Sequence, residues 1–322
     1  MAAVDEIPGE WAQLYEWAPV TLDGADPLTN DAVYSVLLVK GDKVQAFSEA
    51  GRVDFKLFAP GSGSVDTDAD IATARGTDNE GFPDIDYSAT QTGEYYVDAY
   101  APEASGVTTD SIYISWVPFT ALTRNGAAAQ AVSYAQRAGI SCTLRDGDGA
   151  AFDLKVPVQL WRSVAGGAWD LVTTLAETEN PVKSYTAPIT TRTAFKMVVA
   201  EDEFTQGSTS AIKTVIPGTS LQTPIAPAKM SHSKYSTIFG TLKPRHTART
   251  TPVRIYKWRL VSGKWKSAGY SNAKASNYLS FTKYASSVRL PYAGKWRVRA
   301  YSPADSGHAA TWSSGYDYVT VK

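Results

Sequence analysis

The chain is poor in the residues that most often carry chemistry. Its 322 residues include one cysteine and three histidines. A single thiol excludes a disulfide within the chain and leaves the redox compartment open. Cys142 lies in Ile140-Ser141-Cys142-Thr143-Leu144, where strand alternation places Ile140, Cys142 and Leu144 on one face, so a buried, inert thiol is expected. His232, His246 and His308 all fall in the last third, without i, i+4 or His-Glu-x-x-His spacing, and each is expected at the surface. No run of about 18 apolar residues occurs, which excludes a membrane-spanning helix. Met1 to Glu6 lacks a basic region leading into an apolar stretch, so the first residues do not read as a secretory signal. Gly-x-Ser-x-Gly and a phosphate loop are also missing, and Gly61-Ser62-Gly63-Ser64 reads as a flexible loop. With no nucleophile and base, no zinc motif and only solvated-looking carboxylates, the sequence reads as non-enzymatic.

Helical periodicity is nearly absent too; Glu10 to Trp17 is the one helix-like stretch and reads as a lead-in turn. In its place are short alternating runs rich in Val, Ile, Tyr, Phe and Thr, separated by Gly, Asp, Asn and Pro, which predict an all-β chain. Strands are expected at Ala32 to Val39, Val44 to Ser48, Val53 to Phe58, Ile85 to Ser88, Glu94 to Tyr100 and Ser111 to Trp116. A hydrophobic fraction of 43%, with 18 tyrosines and 9 tryptophans, suffices for cores without metals or disulfides. At roughly 100–150 residues per domain, three tandem β-sandwiches fit: residues 1–117, 118–218 and 219–322. The boundaries are short and proline-marked, Trp116-Val117-Pro118-Phe119 and Ile216-Pro217-Gly218 through Pro224, so a semi-rigid series is expected.

The second and third units read as diverged copies of one immunoglobulin-sized module. Pro157 to Arg162 matches Pro252 to Lys257, and a Gly-x-Trp turn follows each, Gly167-Ala168-Trp169 and Gly263-Lys264-Trp265. Further on, Ala194 to Ala200 matches Lys295 to Ala300, with Phe195, Met197 and Val199, or Trp296, Val298 and Ala300, expected inward.

The net charge of −1 conceals a polarity. Residues 1–117 carry 21 acidic and 5 basic residues, residues 118–218 carry 9 of each, and residues 219–322 carry 2 acidic and 17 basic. The ends therefore present fields of opposite sign, independent beyond a Debye length of roughly 8 Å.

Residues 11 to 117 resemble the bacterial pre-peptidase C-terminal (PPC) domain, a jelly-roll-like β-sandwich. The likeness lies in Asp31 to Leu38, Gly41-Asp42, Val53 to Pro60 and Thr92-Gly93-Glu94-Tyr95-Tyr96-Val97-Asp98-Ala99, in that order. Residues 118–322 resemble the immunoglobulin-like or fibronectin-type-III-like stalk modules of bacterial exoproteins. The resemblance implies a secreted or cell-surface bacterial protein, of which this chain is a mature piece, and some relatives of the resembled domain bind calcium.

Two groups of residues are candidates for binding. Asp66, Asp68 and Asp70 alternate in one loop and can converge on a hard cation such as calcium, with Asp78, Glu80, Asp84 and Asp86 able to complete the shell; a plain acidic loop is the alternative. In the third unit, alternation directs Lys295, Arg297 and Arg299 outward beside Arg254 and Tyr256, a basic ladder with an aromatic. That face suits an anionic cell-wall polymer, a glycan or an acidic protein surface; nucleic acid is disfavoured because no recognition element accompanies the charge. The leading expectation is a non-catalytic adhesive or structural module whose basic end docks on an anionic partner. A carbohydrate-binding or substrate-presenting accessory region of a larger exoenzyme is the alternative, with Tyr256, Trp258, Trp161 or Trp312 stacking on sugar rings.

Overall fold

The structure, a computed structural model, describes residues 4–6, 18–23, 32–62, 69–75, 84–101, 107–152, 154–176, 180–202, 205–246 and 252–322. Glu10 to Trp17 and the acidic residues Asp66, Asp68, Asp78 and Glu80 lie outside them. Among the described residues there is no helix: the chain is all-β and forms three tandem sandwiches.

The first sandwich contains β1 (Val4–Glu6), β2 (Ala18–Asp23), β3 (Ala32–Leu38), β4 (Lys43–Ser48), β5 (Asp54–Phe58), β6 (Ala72–Ala74), β7 (Ile85–Ser88), β8 (Gly93–Tyr100) and β9 (Val107–Val117). They build sheets in the orders β1-β3-β8-β5-β6 and β2-β9-β4-β7. Period-2 alternation supplies the filling: Val36, Leu38, Phe55, Leu57, Tyr95 and Val97 from one layer meet Val44, Ala46, Ile85, Ile112 and Ile114 from the other.

The second sandwich contains β10 (Ala121–Arg124), β11 (Ala129–Val132), β12 (Arg137–Arg145), β13 (Val158–Val164), β14 (Trp169–Leu175), β15 (Val182–Pro188), β16 (Thr193–Val199), β17 (Ser208–Thr209) and β18 (Lys213–Pro217). The sheet β10-β12-β15 packs against β11-β18-β16-β13-β14, with β17 on β16. Ile140, Cys142 and Leu144 are buried together opposite Phe195, Met197 and Val199, and burial pushes the Cys142 thiol up, away from the reactive thiolate.

The third sandwich is one rolled sheet of β19 (Ser220–Leu221), β20 (Lys229–Met230), β21 (Tyr235–Lys243), β22 (Val253–Val261), β23 (Lys264–Tyr278), β24 (Phe281–Arg289), β25 (Gly294–Ser302), β26 (Thr311–Trp312) and β27 (Asp317–Val321). The long β23 serves both layers. Lys264 to Ala273 pairs with β22, Lys274 to Tyr278 pairs with β24, and the chain changes layer between them. Trp296, Val298 and Ala300 fill the enclosed space with Ile238, Ile255 and Tyr284.

Hydrogen bonds cross both junctions. At the first, Asp42 is buried: Oδ1 accepts from Phe119 N at 2.7 Å, and Oδ2 accepts from Val39 N at 2.9 Å and Trp116 Nε1 at 2.8 Å. Burial pushes the Asp42 carboxyl above its ordinary range despite these three donors. Asp146-Gly147-Asp148-Gly149 forms the expected turn, with Gly149 at a φ of 81° and an Arg145–Ala151 bridge closing it. Its tip also docks on the first sandwich, where the Thr92 hydroxyl donates to Asp148. At the second junction, Arg192 N donates to Gly307 O at 2.8 Å and Ala309 N to Pro217 O at 2.9 Å.

The surface expectation fails for two histidines. His308 is buried within that second junction, its Nε2 3.1 Å from Thr190 O, and His246 is largely covered; only His232 is exposed.

Candidate functional site

The third sandwich carries two cationic surfaces, one on each side of β22. The outer one follows from alternation. Trp296, Val298 and Ala300 point inward from β25, which turns Arg297 and Arg299 outward, half-buried, with Lys295 exposed beyond them. On β22, Val253 and Ile255 point inward, and Arg254, Tyr256 and Trp258 share the outer face with the arginines. The five residues predicted from the sequence thus share one face.

Register then interleaves cations with rings. Tyr256 stands opposite Arg299, Trp258 opposite Arg297, and Arg254 opposite Tyr301, while Arg297 also faces Tyr318 on β27. The Arg297 guanidinium lies 4.0 Å from the Tyr316 ring centre, 4.7 Å from that of Trp265 and 5.5 Å from that of Trp258. Arg299 lies 5.3 Å from Trp312 and 5.1 Å from Tyr316, and its Nε donates to Ser313 O at 2.8 Å. Arg254 sits 5.0 Å from Tyr270. Guanidiniums within 4.0–5.5 Å of ring centres are in cation–π range, where each pair is worth about 0.5–2 kcal/mol, and their remaining N–H groups can serve acceptors. The face is therefore an ordered Arg–aromatic ladder, in which the exposed Tyr270, Trp312 and Tyr318 also present ring surface.

The inner surface was missed by sequence reasoning. The alternation that buries Val253 and Ile255 continues to Lys257, Arg259 and Val261, and the pairing of Arg259 with Trp296 and of Lys257 with Val298 fixes them on the inner side. There β23 bulges: Tyr256 pairs with Tyr270 but Trp258 with Ser267, and Gly269 takes a φ of 75°. The layers part and leave a cleft of about 400 Å³ lined by Lys257, Arg259, Lys266, Arg289, Tyr292 and Trp296. Arg259 lies 5.0 Å from the Tyr292 ring and donates through Nη2 to Ala293 O at 2.9 Å, while its buried Nε has no acceptor among the described residues. Lys257 Nζ reaches Ser271 Oγ at 3.2 Å, and burial lowers its pKa. Neither acidic residue of the unit lines the cleft: Asp305 faces two histidines, and Asp317 accepts from Ala226 N at 2.7 Å. Four cations with no carboxylate among the described residues that line the cleft make a site for carboxylate, sulfate or phosphate oxygens. The available sequence signal was a Lys-x-Arg in inward phase, where charge is out of place.

The calcium candidates are not assembled by the described residues. Asp70 is exposed and accepts from the Thr73 hydroxyl, Asp84 accepts from Ser48 N at 2.9 Å, and Asp86 pairs with Lys43 at 3.8 Å. Trp161 is half-buried on the second sandwich, away from the ladder's rings, and donates to Gln159 Oε1 at 3.1 Å. No helix among the described residues is long and apolar enough to cross a membrane.

No protein-family model matches the chain, and comparison with curated proteins yields no match. Among solved structures, PliG from Aeromonas hydrophila, a periplasmic inhibitor of g-type lysozyme, aligns with 36% of this chain and 99% of its own at 14% identity and a TM-score of 0.28. The three N-terminal domains of the highly immunogenic outer capsid protein of bacteriophage RB49 align with 95% of this chain and 99% of their own at 9% identity and a TM-score of 0.34. At these scores neither likeness bears on what the chain does.

Proposed function

We propose that the chain is a non-catalytic module of a secreted or cell-surface bacterial protein that docks through its third sandwich on an anionic polymer of the cell wall. One observation carries this reading: a unit with 17 basic and 2 acidic residues gathers four of its cations in a cleft and sets three arginines in an aromatic ladder. The first sandwich, in the PPC-like role of an appended domain, carries 21 acidic residues and is repelled by the same polymer, so attachment is polar. An anionic glycan or an acidic protein surface would use the same groups.

The test compares the intact chain with the Lys266→Ala/Arg289→Ala double variant for binding to purified wall teichoic acid by calorimetry. Both side chains are exposed on the cleft rim, so the fold is kept. Loss of two charge-assisted contacts, at about 1.5 kcal/mol each, weakens binding roughly a hundredfold. Equal affinity of the two proteins overturns the reading.

A second reading, a carbohydrate-binding accessory region of a larger exoenzyme, is favoured by the exposed rings of Tyr270, Trp312 and Tyr318. It requires binding to a neutral glycan that persists at high salt and is lost in Trp312→Ala.

A further inference from the structure

We propose that His246, Asp305 and His308 form a transition-metal site at the junction of the second and third sandwiches, with a donor set suited to zinc. They come from two well-separated parts of the chain: His246 follows β21, and Asp305 and His308 belong to the loop between β25 and β26. One potential ligand atom from each lies within 4.8 Å of the others. Nε2 of His246 is 3.0 Å from Asp305 Oδ2, and Nδ1 of His308 is 3.0 Å from Oδ1 and 3.3 Å from Oδ2.

The opposite ring nitrogens decide what this geometry is for. His246 Nδ1 is 2.9 Å from Pro244 O, and His308 Nε2 is 3.1 Å from Thr190 O. Both carbonyls can only accept, so each holds a ring N–H on its own side and leaves the other nitrogen of each ring as the one available to a metal. Those other nitrogens point at the Asp305 carboxylate: a protonated ring makes an ion pair with it, and on metal binding each ring gives up that proton and offers a lone pair instead. Two nitrogens and a carboxylate facing one another in this way are complementary to a cation. A carbonyl behind each ligating histidine is also the outer-shell arrangement that sets tautomer and orientation in zinc sites. Tetrahedral bonds of about 2.0–2.1 Å put neighbouring ligand atoms about 3.3 Å apart, close to the two histidine–carboxylate separations. The Asp305 carboxylate is fixed independently, since Oδ1 accepts from Gly307 N and His308 N at 2.7 Å each. Side-chain exposures of 12% for His246, 10% for His308 and 38% for Asp305 leave the open side at the carboxylate, where water completes the coordination. Because His308 also contacts Thr190 of the second sandwich, the bound ion clamps that junction.

The test uses the intact, metal-stripped chain titrated with Co2+, whose visible absorption reports four-coordination, followed by Zn2+ competition. A single equivalent of Co2+ should give the tetrahedral spectrum and be displaced by Zn2+. His246→Ala, which leaves the His308 contact to Thr190 intact, and Asp305→Asn, which keeps an acceptor for the two backbone donors, should each lose the spectrum. Their Zn2+ affinity should fall by more than the roughly 10–100-fold that loss of an outer-shell partner costs. His232→Ala, at the exposed histidine, should leave both unchanged. The proposal is overturned if the intact chain binds Zn2+ no more tightly than His246→Ala, or if both His246→Ala and Asp305→Asn retain the cobalt spectrum while remaining folded by circular dichroism.

Discussion

Buried carboxylates differ in this protein by how many donors surround them. Asp110, in the first sandwich, accepts from Ser48 Oγ at 2.5 Å, Ser111 N at 2.7 Å, and Ala50 N and Arg52 N at 3.0 Å. Burial pushes its carboxyl up, but the donors outweigh burial and hold it below the ordinary aspartate value of 3.8. Asp42, with three donors and deeper burial, moves the other way. The signs follow by linkage. A depressed folded-state value means that Asp110 stabilises the fold above the ordinary value, and that this stability is lost as pH falls through the lower folded-state value. In the acid range, protonation of Asp42 in the folded state partly offsets the loss. Asp110→Asn should therefore cost about 1.5–3 kcal/mol at neutral pH, the range for hydrogen bonds to a charged group. The gap to the unsubstituted chain should close as pH drops below the ordinary aspartate value. Urea unfolding of both proteins across pH checks this, and a pH-independent gap contradicts it.

At the scale of elements, the repeated hairpin is the clearest case of sequence dictating geometry. β13–β14 turns at Ala165-Gly166 with φ of 52° and 79°, and β22–β23 turns at Ser262-Gly263 with φ of 49° and 75°. Both turns have positive φ at each of their two central positions, the kind that matches strand twist; Ser262-Gly263 is the whole β22–β23 connection, whereas Gly167 and Ala168 lengthen the β13–β14 one. Gly accepts the second position freely, whereas Ala165 pays a steric penalty at the first. Ala165→Asn should stabilise the second sandwich by about 1 kcal/mol, read as a raised midpoint in thermal unfolding; a lowered midpoint would rule out left-handed strain at this turn. Alternation made much else legible: β7 at Ile85–Ser88, the inward Phe195, Met197 and Val199, and the outward Arg297 and Arg299. What stayed hidden depends on contacts between distant segments. His246 and Asp305 stand 59 residues apart, so no local spacing announces them, and Tyr316 joins the ladder from a loop. The cleft escaped because a bulge opposite Lys257 opens layers that strict alternation would close.

At the scale of the whole molecule, docking by a basic end with an acidic end held clear requires that the sandwiches keep their relative placement. Prolines restrict the linkers, but contacts at the junctions matter more. Gln206 Nε2 donates to Gly41 O at 2.9 Å and Val117 O at 3.1 Å, so a second-sandwich side chain grips both the first sandwich and the linker. Gly147 contributes by having no side chain. A Cβ placed on it would stand 1.3 Å from Lys40 O, a backbone atom that cannot rotate away. Gly147→Ala must therefore displace the turn and with it the contact from Thr92 to Asp148. Because Gly147 belongs to none of the three cores, each sandwich should keep its own unfolding midpoint within error. The change should appear instead in small-angle scattering, as a broadened distribution of distances between the first sandwich and the rest. An unaltered distribution would mean that the linker prolines alone set the arrangement. Lower midpoints for the first and second sandwiches would mean that the junction also contributes to their folding, which would make the two a single cooperative unit.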